Sequence, residues 1–137
     1  MILRVMIVED EDMIRNGLVK TLPWADMGCT VIGSAGDGKS GLEQIVERRP
    51  DVVITDIRMP EMDGFEMLER ALAVYRFHII IFTSYAEFDY AQKAISMHAY
   101  DYLLKPLDEK RLAELLARIR ETEEPQEQLE TPGSFSP

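Results

Sequence analysis

A chain of 137 residues, 46% hydrophobic and 29% charged, has the composition of a single soluble globular domain, long enough to bury a core without disulfide or metal staples. Its formal net charge of −10 sets it against nucleic-acid phosphates, whereas clustered carboxylates would suit a cation. The single cysteine, Cys29, excludes an internal disulfide and suits a reducing, cytoplasmic compartment. The N-terminus runs directly into the acids Glu9 to Asp12, unlike a signal peptide, and no apolar run approaches the roughly 18 residues of a membrane span.

Apolar runs then alternate with amphipathic stretches. Leu3 to Val8 predicts a strand, and Met13 to Leu22 a helix with Ile14, Leu18 and Leu22 on one face. Thr30 to Ala35 predicts a second strand, and Lys39 to Arg49 a helix with Leu42, Ile45 and Val46 inward. Val52 to Asp56 is the third strand, followed by a helix from Gly64 to Tyr75 that uses Phe65, Leu68 and Leu72. His78 to Thr83 is the fourth, with Glu87 to Met97 as its helix and Ala91, Ala94 and Ile95 facing the core. Tyr100 to Leu104 is the fifth, and Asp108 caps a helix through Arg120 that turns Leu112, Leu115, Leu116 and Ile119 inward. Beyond it, residues 121–137 hold five Glu, three Pro and no base, which predicts an acidic linker or disordered tail after a domain of residues 1–120.

Five β-α units whose strands Val5–Val8, Val52–Ile54 and Ile79–Phe82 are continuously apolar predict an α/β fold: a parallel sheet with helices on both faces. Such sheets bind ligands beyond the C-terminal ends of their strands. Here those ends carry Glu9-Asp10, Asp56, Thr83-Ser84 and Lys105-Pro106. Singly, each has an ordinary job: an acid caps a helix, a threonine forms a turn, a lysine is solvated. Together, acids crowded at one edge repel one another unless a cation neutralises them. Carboxylate oxygens suit Mg²⁺, and a carboxylate beside such a metal can attack phosphorus. An ammonium and a hydroxyl at the same edge can bind phosphoryl oxygens.

At Val8-Glu9-Asp10-Glu11, Pro50 to Pro60, Met62-Asp63-Gly64, Thr83-Ser84-Tyr85 and Asp101 to Pro106 the sequence resembles response-regulator receiver domains, over roughly residues 2 to 120. The resemblance implies the flavodoxin-like (βα)5 fold with strand order 2-1-3-4-5. It also implies that Asp56 is the phosphoacceptor. Asp10 would ligate Mg²⁺ directly, Glu9 through a metal-bound water, and Arg58 through its main-chain carbonyl. Thr83 and Lys105 would contact phosphoryl oxygens, Pro106 would follow a cis peptide, and Tyr102 would be an aromatic switch that turns inward. Glu9 stands where the family more often has aspartate, and the connection at Arg76-Phe77 is short and lacks the usual proline. Trp24, Tyr85 to Ala91 and Asp101 to Pro106 more narrowly resemble receivers that precede AraC-type DNA-binding domains, although plain packing also accounts for Trp24, Phe88 and Tyr90.

The resemblance implies a signalling switch rather than an enzyme, phosphorylated by a sensor histidine kinase. Phosphorylation would promote homodimerisation through the fourth helix, fifth strand and fifth helix, where Tyr85, Phe88, Tyr90, Met97, His98 and Tyr100 gather. DNA would be met only through a further C-terminal domain. Two alternatives stand beside it. An aspartate-nucleophile phosphohydrolase of the haloacid dehalogenase type would need Asp-x-Asp after its first strand, where this chain has Asp56-Ile57-Arg58 after its third. A pseudo-receiver would have lost part of the acid, threonine and lysine set.

Overall fold

The computed structural model describes residues 1–129, with side chains through residue 123. In chain order the elements are β1 (Leu3–Val8), α1 (Asp12–Thr21), β2 (Cys29–Ala35), α2 (Gly38–Arg48), β3 (Val52–Thr55), α3 (Gly64–Leu72), β4 (His78–Thr83), α4 (Phe88–Ser96), β5 (Asp101–Leu104) and α5 (Glu109–Leu129). The strands form one parallel sheet in the order β2-β1-β3-β4-β5, the flavodoxin-like arrangement expected. The strand order reverses direction between β1 and β3, which opens a crevice at their C-terminal ends.

Alternation along each strand divides the core into two clusters. On one face Val5, Ile7, Ile54, Ile80 and Phe82 pack with Leu18 and Leu22 from the α1 region and with Leu112, Leu115, Leu116 and Ile119 of α5. On the other, Met6, Val8, Val53, Ile79 and Ile81 meet Ile45 of α2, Phe65, Met67 and Leu68 of α3, and Ala94 of α4. Each fully buried side chain of this size contributes about 1.5–3 kcal/mol, so the central strands and the helices that cover them are mutually dependent. Trp24 belongs to the first cluster, with its indole N–H donating to the Leu18 carbonyl at 2.9 Å. That packing and hydrogen bond account for its place in the fold.

The helix starts follow local chemistry. Asp37 and Asp63 cap α2 and α3 by accepting the backbone N–H of Ser40 and Glu66 at 2.7 and 2.8 Å, and Asp108 Oδ1 accepts the Arg111 N–H at 3.2 Å. Glu11 stands at the cap position of α1 but makes no side-chain capping bond. Two expectations change. Ile95 is exposed rather than core-facing, because Tyr90, Ala94 and Met97 set the inward stripe of α4 and Ile95 lies a rotation of about 100° beyond Ala94. Helix α5 also continues to Leu129, past the expected end at Arg120; its Glu and Gln residues are good helix formers, although Pro125 has no N–H to bond the Glu121 carbonyl. The remaining tail, residues 130–137, lies outside the described residues.

Candidate functional site

Strand register builds the site. Val8 pairs with Thr55, so the next residues, Glu9 and Asp56, emerge side by side, joined by a hydrogen bond from Asp56 N–H to the Val8 carbonyl at 3.1 Å. Thr55 pairs with Ile81 and Thr83 with Leu104, which brings the ends of β4 and β5 to the same edge. The Lys105 N–H donates to the Thr83 carbonyl at 2.9 Å, and the Lys105–Pro106 peptide is cis. Among the described residues, the buried polar and charged side chains are Glu9, Thr55, Asp56 and Thr83. All four belong to this edge.

The Lys105 ammonium lies between the two buried acids, 2.7 Å from Glu9 Oε1 and 2.8 Å from Asp56 Oδ2. Glu9 is 1% and Asp56 5% exposed. The second Asp56 oxygen accepts the Ile57 N–H at 2.6 Å, and Glu9 Oε2 accepts the Glu11 N–H at 3.1 Å. Glu9 Oε1 meets the ammonium only as an ion pair and accepts no aligned hydrogen bond. Burial raises the Glu9 carboxyl above the ordinary carboxylate range, partly opposed by Lys105. Burial works against the charged Lys105, yet its hydrogen bond to Asp56 and the adjacent Glu9 carboxylate leave its pKa raised overall. The lysine therefore holds its proton and serves as a fixed cation.

Asp10 is exposed at the mouth of this pair, and one carboxylate oxygen from each of Glu9, Asp10 and Asp56 lies within 4.8 Å of the others. Three hard oxygen donors, two of them on buried carboxylates and with a Glu9 oxygen that lacks an aligned hydrogen bond, fit a magnesium ion that keeps part of its water shell. Glu11 and Asp12 lie at the start of α1 instead; the Glu11 main-chain carbonyl accepts the Arg15 N–H at 2.9 Å, and the Asp12 side chain pairs with Arg15 at 2.6 Å. Gly64 closes the loop beneath Asp56. Its N–H donates to the Ile57 carbonyl at 2.7 Å, and a β-carbon there would run into the Asp56 carbonyl oxygen.

The Thr83 hydroxyl is buried and accepts the Tyr85 N–H at 3.4 Å. Tyr102 packs against the second core cluster, and its hydroxyl donates to the Tyr85 carbonyl. Its ring is thus already turned toward the β4–α4 loop. The family resemblance implies a role for the Arg58 carbonyl alone; the side chain gains its partners only in the fold. The guanidinium reaches across to the start of α4, bonding the Tyr90 hydroxyl at 2.9 Å and Glu87 Oε2 at 2.7 Å. The aromatic run Tyr85 to Tyr90 was the available signal. Of the aromatic and thioether residues expected on the α4–β5–α5 face, Tyr90, Met97 and Tyr100 pack against the core. Phe88 is exposed (72%), joined by Ile95 (74%) and Leu104.

Beside Lys105, a groove of about 570 Å³ runs between α1 and the β5–α5 loop, lined by Met13, Ile14, Leu18, Pro106 and Leu107 among others. Among the described residues no helix is long and apolar enough to cross a membrane.

The chain matches the response regulator receiver domain over residues 5–117. It is 40% identical over 119 residues to the transcriptional regulatory protein HptR of Staphylococcus aureus, a match covering 87% of this chain and 47% of that protein. It is 34% identical over 117 residues to the uncharacterized transcriptional regulatory protein YesN of Bacillus subtilis, covering 85% of this chain and 32% of YesN. The chain therefore spans half or less of these relatives' length. In structure it superposes on the REC domain of AraT, a response regulator from Geobacillus stearothermophilus, with a TM-score of 0.82 and 40% identity over 93% of this chain and 99% of that one. The sheet order, the acidic strand ends and a match across most of the length agree: this chain belongs to the response regulator receiver domain family.

Proposed function

We propose that this receiver works as a phosphorelay switch in which Asp56 takes a phosphoryl group from a phosphohistidine on a sensor histidine kinase. The observation that carries the reading is the convergence on Asp56: a buried carboxylate at the end of β3, with Glu9 and Asp10 beside it and the Lys105 ammonium on its Oδ2. An Asp56 oxygen attacks phosphorus in line, the P–N bond breaks, and its electron pair stays on the imidazole of the donor. No external general base is needed, since the nucleophile is already an anion. Catalysis is positioning and charge neutralisation.

Glu9, Asp10, Asp56 and the Arg58 carbonyl would hold Mg²⁺, which when bound supplies positive charge to the transferring phosphoryl oxygens. Lys105 moves from pairing with carboxylates to pairing with a phosphoryl oxygen, and the Thr83 hydroxyl binds another. Thr83, Tyr102 and the Lys105–Pro106 turn carry the change to α4 and β5. The α1 groove beside Lys105, with Met13 exposed, suits the helical surface of a phosphodonor protein. Phe88, Ile95 and Leu104 suit a weak homodimer formed on phosphorylation. A C-terminal DNA-binding domain beyond residue 137 and a cytoplasmic location complete the proposal, by analogy with the regulators it resembles.

Incubation with Mg²⁺ and acetyl phosphate tests it. The expected product carries one added phosphate, hydroxylamine-labile and mapped to Asp56. Continuous phosphate release without a trapped acyl phosphate would indicate a phosphohydrolase, and neither result a pseudo-receiver.

A further inference from the structure

We propose that the Arg58 side chain is a positioning residue: a planar latch that ties the acceptor loop to the first turn of α4 and holds the Tyr85 carbonyl where the Tyr102 hydroxyl can reach it. The latch rests on the reading of Asp56 as acceptor only for its purpose, not for its geometry.

Arg58 lies two residues after Asp56, and its guanidinium makes four contacts with one short segment. Nε donates to the Tyr90 hydroxyl and NH2 to Glu87 Oε2, while the guanidinium carbon lies 3.9 Å from the centre of the Tyr85 ring and 5.5 Å from that of Tyr90. The two tyrosine rings meet edge to face at 6.5 Å. The hydrogen bond that Arg58 donates to the Tyr90 hydroxyl and the charge of Glu87 stabilise the guanidinium cation. Tyr85 is therefore gripped twice, by Arg58 on its ring and by Tyr102 on its carbonyl.

An ordinary surface ion pair between half-exposed groups contributes little, and the Arg58–Glu87 pair is half exposed on both sides. This arrangement differs because a flat, five-donor cation stacks on a ring and bonds two further partners at once, which a lysine ammonium cannot copy. The segment it grips is otherwise weakly held. Residues 84–89 are exposed, and Glu87 makes no capping bond to α4. The device converts a displacement of the loop after Asp56 directly into a displacement of α4 and of the Tyr102 partner, alongside any movement of Thr83.

The test uses the unphosphorylated chain first. Arg58→Ala is expected to raise amide exchange over residues 84–91 by about tenfold and to shift the NMR signals of the Tyr102 ring, with the sheet amides unchanged. Arg58→Lys should match Arg58→Ala, and Tyr90→Phe and Glu87→Gln should each give part of the effect. Wild-type exchange and Tyr102 signals in Arg58→Ala would overturn the proposal. So would full restoration by Arg58→Lys, since charge alone would then suffice. Tyr90→Phe, which lies outside the phosphoacceptor set, should take up phosphate from acetyl phosphate as wild type does, yet show a smaller shift of Tyr102 on beryllofluoride binding; an equal shift overturns the proposed coupling. If phosphate never appears on Asp56, the acceptor reading fails while the exchange result still decides the latch.

Discussion

The two ends of the sheet are both rich in polar groups, and they treat them differently. At the N-terminal end the partners are mostly backbone. Arg4 N–H donates to Asp51 Oδ2 at 2.9 Å, the Arg4 guanidinium spans the carbonyls of Arg48 and Arg49 at 2.6 Å each, and the Tyr75 hydroxyl donates to the Pro50 carbonyl at 2.8 Å. At the C-terminal end Glu9, Asp56 and Lys105 satisfy one another incompletely, and Glu9 Oε1 lacks an aligned donor. Apart from the buried Arg120 Nε beside Gly28, which has no hydrogen-bond partner, the first end is finished as structure. The other keeps charge in reserve for groups that arrive from outside, and it carries the buried polar side chains that would otherwise only cost stability.

Removing the reserve at its centre should give the largest effect. Asp56→Asn is expected to abolish hydroxylamine-labile phosphate uptake while the fold persists, as read by mass spectrometry and circular dichroism; undiminished uptake would end the assignment.

Next, Lys105→Ala leaves Glu9 and Asp56 buried without their cation, and the metal-free chain should lose about 3 kcal/mol of stability in denaturant titration. Mg²⁺ should stabilise this variant more than wild type, because the ion then neutralises acids the lysine no longer does. Equal Mg²⁺ stabilisation of the two would mean that the ion and the ammonium do not share a site.

The finished end should respond only in stability. Asp51→Ala orphans the Arg4 N–H and is expected to cost about 1–2 kcal/mol, with the rate of phosphorylation by acetyl phosphate unchanged. A slowed rate would show that the two ends are coupled through the sheet.

The smallest effect concerns Cys29, at the start of β2 and buried in the first core cluster. Burial pushes its thiol up to about 11 from 9.0. A raised folded pKa contributes stability that is present below the unfolded value and lost as pH rises through the folded one. That share of stability should therefore be complete below pH 9.0 and fade through about 11. Alkylation in the native state should remain slow at pH 9 and become fast after unfolding. Rapid native alkylation at that pH would place the thiol outside the core.

The sequence by itself determined the alternation of strands and helices, the parallel sheet and the strand-end residues Glu9, Asp56, Thr83 and Lys105, because each depends on periodicity or on position in a run. Asp108 before the last helical stripe announced the cap of α5, whereas the caps of α2 and α3 by Asp37 and Asp63 emerged only in the structure. Three further matters needed the tertiary structure. The pairing of Val8 with Thr55 is a register, and register depends on how whole strands pack rather than on any local signal. The outward turn of Ile95 and the reach of Arg58 to Tyr85, Glu87 and Tyr90 depend on the rotation of α4 against the second cluster. Local periodicity places a stripe on a helix but does not aim it. The unequal satisfaction of Glu9 Oε1 and its neighbours exists only once three strand ends have met, since a carboxylate oxygen is well or poorly bonded by what surrounds it in space.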